Sequence, residues 1–184
     1  MKVTIATGLY PPEIGGPATH TVLLESKLPQ HNWIVDVVAF SGSRKYPKIL
    51  RHAHLLYRIL RSGRNADVLF AQDTVSVGLP LVIAAKLLRK KCVVRVPGDY
   101  AWEQSVQRYG VQDDIDSFQT RSYGVRVTVL RFLQRTTVSS ADAVVTPSEY
   151  FKKVVIGWGV PPEKVQTIYN GVDLDITPAV INKP

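Results

Sequence analysis

Short β-branched runs that alternate with helix-length stretches set the tightest limit on how this chain of 184 residues can fold. Lys2–Thr7, Trp33–Phe40, Asp67–Ala71, Lys91–Val96, Asp142–Thr146 and Lys164–Tyr169 read as strands, each closed by glycine, proline or polar residues. Helical periodicity is legible between them at Thr19–Leu28 (Val22, Leu23 and Ser26), Val75–Arg89, Val125–Val138 and after Pro147-Ser148-Glu149. This alternation predicts a three-layer α/β domain, its mostly parallel sheet covered by helices on both faces. Such sheets bind ligands outside the carboxyl ends of their strands, here Gly8–Gly16, Gln72-Asp73 and Pro97–Glu103.

The first of these ends carries Tyr10-Pro11-Pro12-Glu13-Ile14-Gly15-Gly16-Pro17-Ala18-Thr19-His20. Two prolines break periodic structure, adjacent glycines let the backbone approach a ligand, and Pro17 suits the first turn of a helix. A strand, a glycine loop and a helix N-terminus together form a phosphate site. The stretch is neither the G-x-G-x-x-G fingerprint nor a P-loop, and a tight βα turn explains Gly15 and Gly16 equally well at this level.

The chain is long enough for one domain with a real core and too short for a second α/β domain. Its only cysteine, Cys92, lies in an apolar run and reads as a buried, reduced thiol. The start has no cleavage pattern, and the longest apolar segment, Val75 to Leu88, is broken by Pro80 and Lys86, so neither a signal peptide nor a membrane span is expected. A formal charge of +8 favours an anionic partner. Between Arg44 and Arg64 stand seven Lys or Arg and no acidic residue. The period places Ile49, Ala53, Leu56 and Leu60 on one helical face and Lys48, Arg51, Arg58 and Arg61 on the other, with Leu55 among the basic residues. That is either a sheet-covering helix with a solvated basic face or a surface that docks on anionic lipid. No chemistry is assigned to His52 and His54.

From Asp99 to Tyr123 the pattern reads as an irregular, polar and aromatic insertion at the sheet's carboxyl edge, a place where insertions carry function. In the next helix Val129, Phe132, Leu133 and Thr136 are expected inward and Arg126, Arg131 and Arg135 outward. Asn170-Gly171-Val172-Asp173 reads as a turn, and Leu174 to Pro184 as a linker.

Four phrases in order, Pro11-Pro12-Glu13-x-Gly15-Gly16, Gly98-Asp99-Tyr100-Ala101-Trp102-Glu103, Ala141-Asp142-Ala143-Val144-Val145-Thr146-Pro147-Ser148-Glu149-Tyr150 and Tyr169-Asn170-Gly171-Val172-Asp173, resemble the N-terminal half of family 4 glycosyltransferases. The resemblance implies one Rossmann-like half of a GT-B enzyme, which transfers a sugar from a nucleotide-sugar donor to a glycan or lipid-linked acceptor with retained configuration and without a metal or other cofactor. It implies an acceptor-side domain over residues 1–173, followed by a linker over 174–184 toward a donor-binding domain absent here, so that this chain alone is expected to be inactive. In that frame Gly15 and Gly16 stabilise the departing diphosphate, and Asn170 and Gly171 mark the interdomain hinge. Asp99 and Glu103, four residues apart, are candidates for orienting the acceptor hydroxyl; a helix cap and a pairing with a nearby arginine are their structural alternatives. His20, Gln72 and Asp73 are acceptor-side candidates, against plain packing for His20 and turn chemistry for the other two. Many relatives place a histidine after the fourth strand, where this chain has Pro97-Gly98-Asp99. The expected location is cytoplasmic, peripheral on the inner face of the membrane through the basic helix at 44–64.

A stand-alone sugar- or nucleotide-binding module acting with a partner chain is the alternative. Nucleic acid is not expected as a partner, because aromatics do not interleave with the basic run and no motif supports it. A dehydrogenase-like domain lacks its glycine fingerprint.

Overall fold

The computed structural model describes residues 1–171. The expected turn at Val172-Asp173, the linker at 174–184 and the orientations of Lys48 and Ile49 lie outside what is described. In chain order the elements are β1 (Lys2–Thr7), α1 (Gly16–Lys27), β2 (Ile34–Ala39), α2 (Lys48–Gly63), β3 (Val68–Ala71), α3 (Gly78–Leu88) and β4 (Lys91–Arg95). They continue as α4 (Tyr100–Tyr109), α5 (Ile115–Thr120), α6 (Val125–Ser139), β5 (Ala143–Thr146), α7 (Glu149–Gly157) and β6 (Val165–Thr167).

The six strands form one parallel sheet in the order β2-β1-β3-β4-β5-β6. Only the β1 to β2 connection runs toward one edge; every later crossover runs the other way. Right-handed crossovers therefore put α1 on one face and the remaining helices on the other. The core agrees: Ala6, Leu69, Ala71, Val94 and Val144 pack with Leu55 and Ile59 of α2, Leu81 of α3, Val138 of α6 and Val155 of α7. Cys92 is buried in the same cluster as a free thiol. On the α1 face Val3 and Ile5 are buried, while Val68, Phe70, Val93 and Val145 are only half covered. Both faces thus carry helices, as the alternation predicts, but unequally.

Three expectations need correction. The insertion after Asp99 is not irregular: it folds as α4 and α5, each begun by an aspartate cap, Asp99 and Asp114. Its small core joins Ala101, Phe118 and Val127 with Trp102, Val111, Tyr123 and Leu130. Leu55 does not lie in a basic surface; it is fully buried, whereas Ala53 is exposed and Arg58 turns inward to donate to the Ala39 carbonyl at 2.7 Å. The register of α2 is set by Leu55, Ile59 and Ser62 against the sheet, and Ser62 bonds Thr4 at 2.8 Å. In α6 Val129, Phe132 and Thr136 face outward and the buried stripe is Val127, Gln134, Thr137 and Val138. Here a polar side chain wins the inner position because it supplies hydrogen bonds that the turn before α4 requires. Arg131, expected outward, lies over the Phe118 ring at 3.9 Å and donates to the Phe118 and Arg121 carbonyls.

Candidate functional site

Strand order reverses between β1 and β3, and ligands of doubly wound sheets bind at such a switch point. The loop after β1 crosses there, and Gly8 is packed so closely that a Cβ on it would stand 3.1 Å from Asp73 Oδ2. Arg44 pins this loop from the far side, pairing with Glu13 and donating to the Gly8 carbonyl at 3.2 Å. Gly16 opens α1, and a Cβ there would meet nothing within 4 Å, so the first turn of α1 faces open space. In that turn Pro17 has no N–H and the Thr19 N–H bonds the Gly15 carbonyl, which leaves the Gly16 and Ala18 amides without an intrahelical acceptor, and the positive end of the helix dipole adds to them.

One helical turn further on, His20 meets Gln72 just past the end of β3. Both polar atoms of the Gln72 amide lie within hydrogen-bond distance of His20 Nδ1, Nε2 at 2.9 Å and Oε1 at 3.2 Å, and Oε1 also receives Arg95 Nη1 at 3.4 Å. Nδ1 of His20 is paired with the Gln72 amide in either tautomer, and Nε2 carries the proton where Nδ1 accepts from Gln72 Nε2. Burial, together with the Arg95 charge, pushes the His20 pKa down, against the smaller opposing effect of Gln72. The shift favours the neutral ring. Arg95 also donates to Asn170 Oδ1 at 2.7 Å, tying the chain after β6 to this edge.

Asp73 Oδ1 accepts the backbone N–H groups of Val75 and Val77 at 3.1 and 3.0 Å, closing the turn into α3. Loss of hydration raises its pKa, opposed by those amides. Asp99 is 1% exposed and caps α4. Its Oδ1 accepts from the Trp102 N–H at 3.0 Å and from Gln134 at 2.9 Å, and its Oδ2 from Gln119 at 2.8 Å. Gln119 in turn accepts from the Trp158 indole at 2.9 Å. This carboxylate organises four helices, and its geometry is that of the cap that the spacing left open. Glu103, one turn later, is exposed and leans back over Gly98, whose absent Cβ would stand 2.4 Å from Glu103 Oε1. Partial loss of hydration, with the nearby charges of Asp99 and Asp73, holds the Glu103 carboxyl above its ordinary pKa. No ion pair reaches Glu103 among the described residues.

The structure therefore gathers Gly16, His20, Gln72, Asp73 and Glu103 along one edge, with Asn170 joined to them through Arg95. Gly15 lies at the cap position of α1 with Leu9 against it, and Gly171 near Leu23. Sequence reasoning missed Arg95, Gln134 and Arg44. An arginine closing a buried apolar strand and a glutamine inside a helix's buried stripe were the available signals. Among the described residues no group of His, Cys, Asp and Glu is placed to hold a metal ion, and no helix is long and apolar enough to cross a membrane.

Residues 14–176 match the sequence family described as Glycosyltransferase Family 4. Curated protein sequences give no match. In fold, the chain is similar to Anabaena Alr3699/HepE in complex with UDP-glucose, at 17% identity and a TM-score of 0.59, covering 94% of this chain and 44% of that one. It is similar to UDP-GlcNAc 2-epimerase from Methanocaldococcus jannaschii at 14% identity and a TM-score of 0.59, covering 91% and 45%. The apo lipopolysaccharide outer core galactosyltransferase WaaB aligns at 14% identity and a TM-score of 0.54, covering 100% and 50%. This chain spans half the length of these structures or less. The α/β, Rossmann-like architecture is that of one half of a two-domain GT-B fold.

Proposed function

Because the chain belongs to Glycosyltransferase Family 4, we propose that it supplies the acceptor-side half of an enzyme that moves a sugar from a nucleotide-sugar donor to a glycan or lipid-linked acceptor, with retention. The observation that carries this reading is the convergence on Gln72-Asp73: Gln72 fixes His20, Asp73 stands against Gly8, and its charge reaches Glu103. The UDP-glucose complex of a structural neighbour supports a nucleotide-sugar donor.

In this reading the open first turn of α1 at Gly15 and Gly16 faces the leaving diphosphate, whose growing charge its amide groups offset. His20 adds a neutral Nε2–H donor. Glu103 is the carboxylate that meets the acceptor hydroxyl, and its raised pKa suits exchange of a proton with that hydroxyl. Asp99 acts through the turn it caps and is a positioning residue. Residues 1–173 form the acceptor-side domain, 174–184 lead to the donor-binding half, and Asn170 and Gly171 are the hinge, braced by Arg95. No metal takes part.

Membrane docking belongs to the same proposal. Helices α2, α3 and α6 contain no Asp or Glu. Their outer surface exposes Leu50, Tyr57, Leu87 and Phe132 beside Arg61, Lys86 and Arg126. Apolar and cationic side chains without carboxylates suit the inner, anionic face of a membrane, where the protein would be cytoplasmic and peripheral.

The test is sugar transfer and donor hydrolysis with a panel of UDP- and GDP-sugars, using the full natural reading frame that contains this chain. Transfer from one donor is expected, reduced about 100-fold or more by Glu103→Gln without loss of folding. Absence of both donor binding and transfer in the full-length protein would overturn the enzyme reading.

A further inference from the structure

Two cavities that the proposed reaction does not use meet at His52. The first, of about 420 Å³, opens at the carboxyl edge and is lined by Phe40, Arg51, His52, Ser76, Tyr100 and Arg108. It holds two guanidinium groups and no carboxylate. Neither arginine forms an ion pair among the described residues. Among the described residues Arg51 Nε is buried without a hydrogen-bond partner. A buried donor left unpaired is costly and rare, and one on a residue that lines a cavity points to an absent ligand. A phosphate oxygen would satisfy Arg51, and paired arginines match its geometry.

The second cavity, of about 350 Å³, runs between α2, α3 and α6 and is lined by Ala53, Leu56, Leu79, Pro80, Ile83 and Leu133, together with Val75 and the shared His52. Apart from that histidine its lining is apolar. A cationic pocket that shares His52 with an apolar groove is complementary to an amphiphile, not to a free sugar phosphate or to a nucleic acid. Both volumes lie in the range of small-molecule sites.

Resting on the acceptor-side reading above, we propose that the two cavities form one acceptor subsite, with a phosphate or diphosphate head between Arg51 and Arg108 and a hydrocarbon tail in the α2–α3–α6 groove. The acceptor is thereby a lipid phosphate. Its head enters at the sheet edge that carries Glu103, between walls that include Tyr100 and Phe40.

Calorimetric titration of the protein with dodecyl phosphate below its micellar concentration, inorganic phosphate and octyl glucoside tests this. Dodecyl phosphate is expected to bind at least ten times more tightly than either of the others. Arg51→Gln and Arg108→Gln should bring it down to the level of the neutral amphiphile, and Ile83→Glu to that of inorganic phosphate. Neither arginine makes an ion pair among the described residues, and circular dichroism with urea unfolding checks that the variants are folded. Equal binding of inorganic and dodecyl phosphate would overturn the tail site, and insensitivity to both arginine variants would overturn the head site. Binding to anionic phosphatidylglycerol vesicles without binding of monomeric dodecyl phosphate would also overturn the proposal, leaving surface docking only. No donor is present in these titrations, so they separate this proposal from the transferase reading. Transfer to a soluble glycan by a protein that ignores dodecyl phosphate would defeat the subsite alone.

Discussion

Gln134 of α6 holds the start of α4 from both sides: its Oε1 accepts the Ala101 N–H at 2.9 Å while its Nε2 donates to Asp99 Oδ1 at 2.9 Å. Asp99→Ala removes the cap, leaves the buried Gln134 amide without an acceptor and leaves Gln119 with the Ile115 carbonyl alone at 3.1 Å. The expected cost is about 3 kcal/mol of folding stability, from a lost cap and unsatisfied donors. Urea unfolding measures it, and Gln134→Leu should lose a comparable amount. A change under about 0.5 kcal/mol would show that the network does not organise the helices.

His20 provides a pH signature. Its folded-state pKa is lowered from the ordinary 6.5, by burial and then by Arg95. The unfolded chain therefore takes up the proton first as pH falls, and the associated stability, present in full above about 6.5, is lost as pH drops through the folded value. Wild type should lose stability between pH 7 and 5 more steeply than His20→Gln. His52, also lowered by burial and Arg51, acts in the same direction in both proteins and cancels in the comparison. A proton titration of the His20 ring by NMR reads the shift directly; an ordinary midpoint would contradict the lowered pKa.

Two glycines should separate fold from function. A Cβ on Gly78 would stand 2.4 Å from the Asp73 carbonyl oxygen and 3.2 Å from Thr137 Cγ2, so Gly78→Ala is expected to destabilise by about 2 kcal/mol through overpacking. A Cβ on Gly98 meets only the mobile end of Glu103. Gly98→Ala should displace that carboxylate with little change in unfolding midpoint, and lower transfer in the full-length enzyme. Equal stability loss in both would refute the distinction.

Cys92 is buried in β4, and burial raises the pKa of its thiol. Native protein at pH 8 should therefore resist alkylation by iodoacetamide, and one thiol should become reactive in denaturant. Rapid labelling of the native protein would mean that β4 opens locally.

The parallel sheet, its six strands and the glycine loop at its edge were legible in the sequence because strand formation there follows local composition: β-branched runs punctuated by glycine and proline. Asp114 as a cap was hidden for a different reason. The cap signals of α4 and α5 are single aspartates in polar surroundings, and without an apolar stripe the helices they begin read as an insertion. Helix faces were legible only to within the ambiguity of a short amphipathic pattern. In α2 a shift of two residues buries Leu55 in place of Ala53, and only the sheet decides between them. In α6 Gln134 outcompetes Phe132 for the interior because Asp99 and Ala101 need its amide, a demand made 33 to 35 residues away.

The chemistry divides in the same way. Residue identity alone named Gly16, His20, Gln72, Asp73 and Glu103, and the order of strands brought them to one edge. What only the tertiary structure decided was their state. That His20 pairs with Gln72, why Asp99 faces inward and Glu103 outward, and that Arg51 Nε lies beside a cavity without a partner among the described residues all follow from contacts between segments far apart in the chain. Hydrogen-bond partners and the loss of water are set by three-dimensional packing, whereas the tendency to form strands, turns and caps is already present in the local chain.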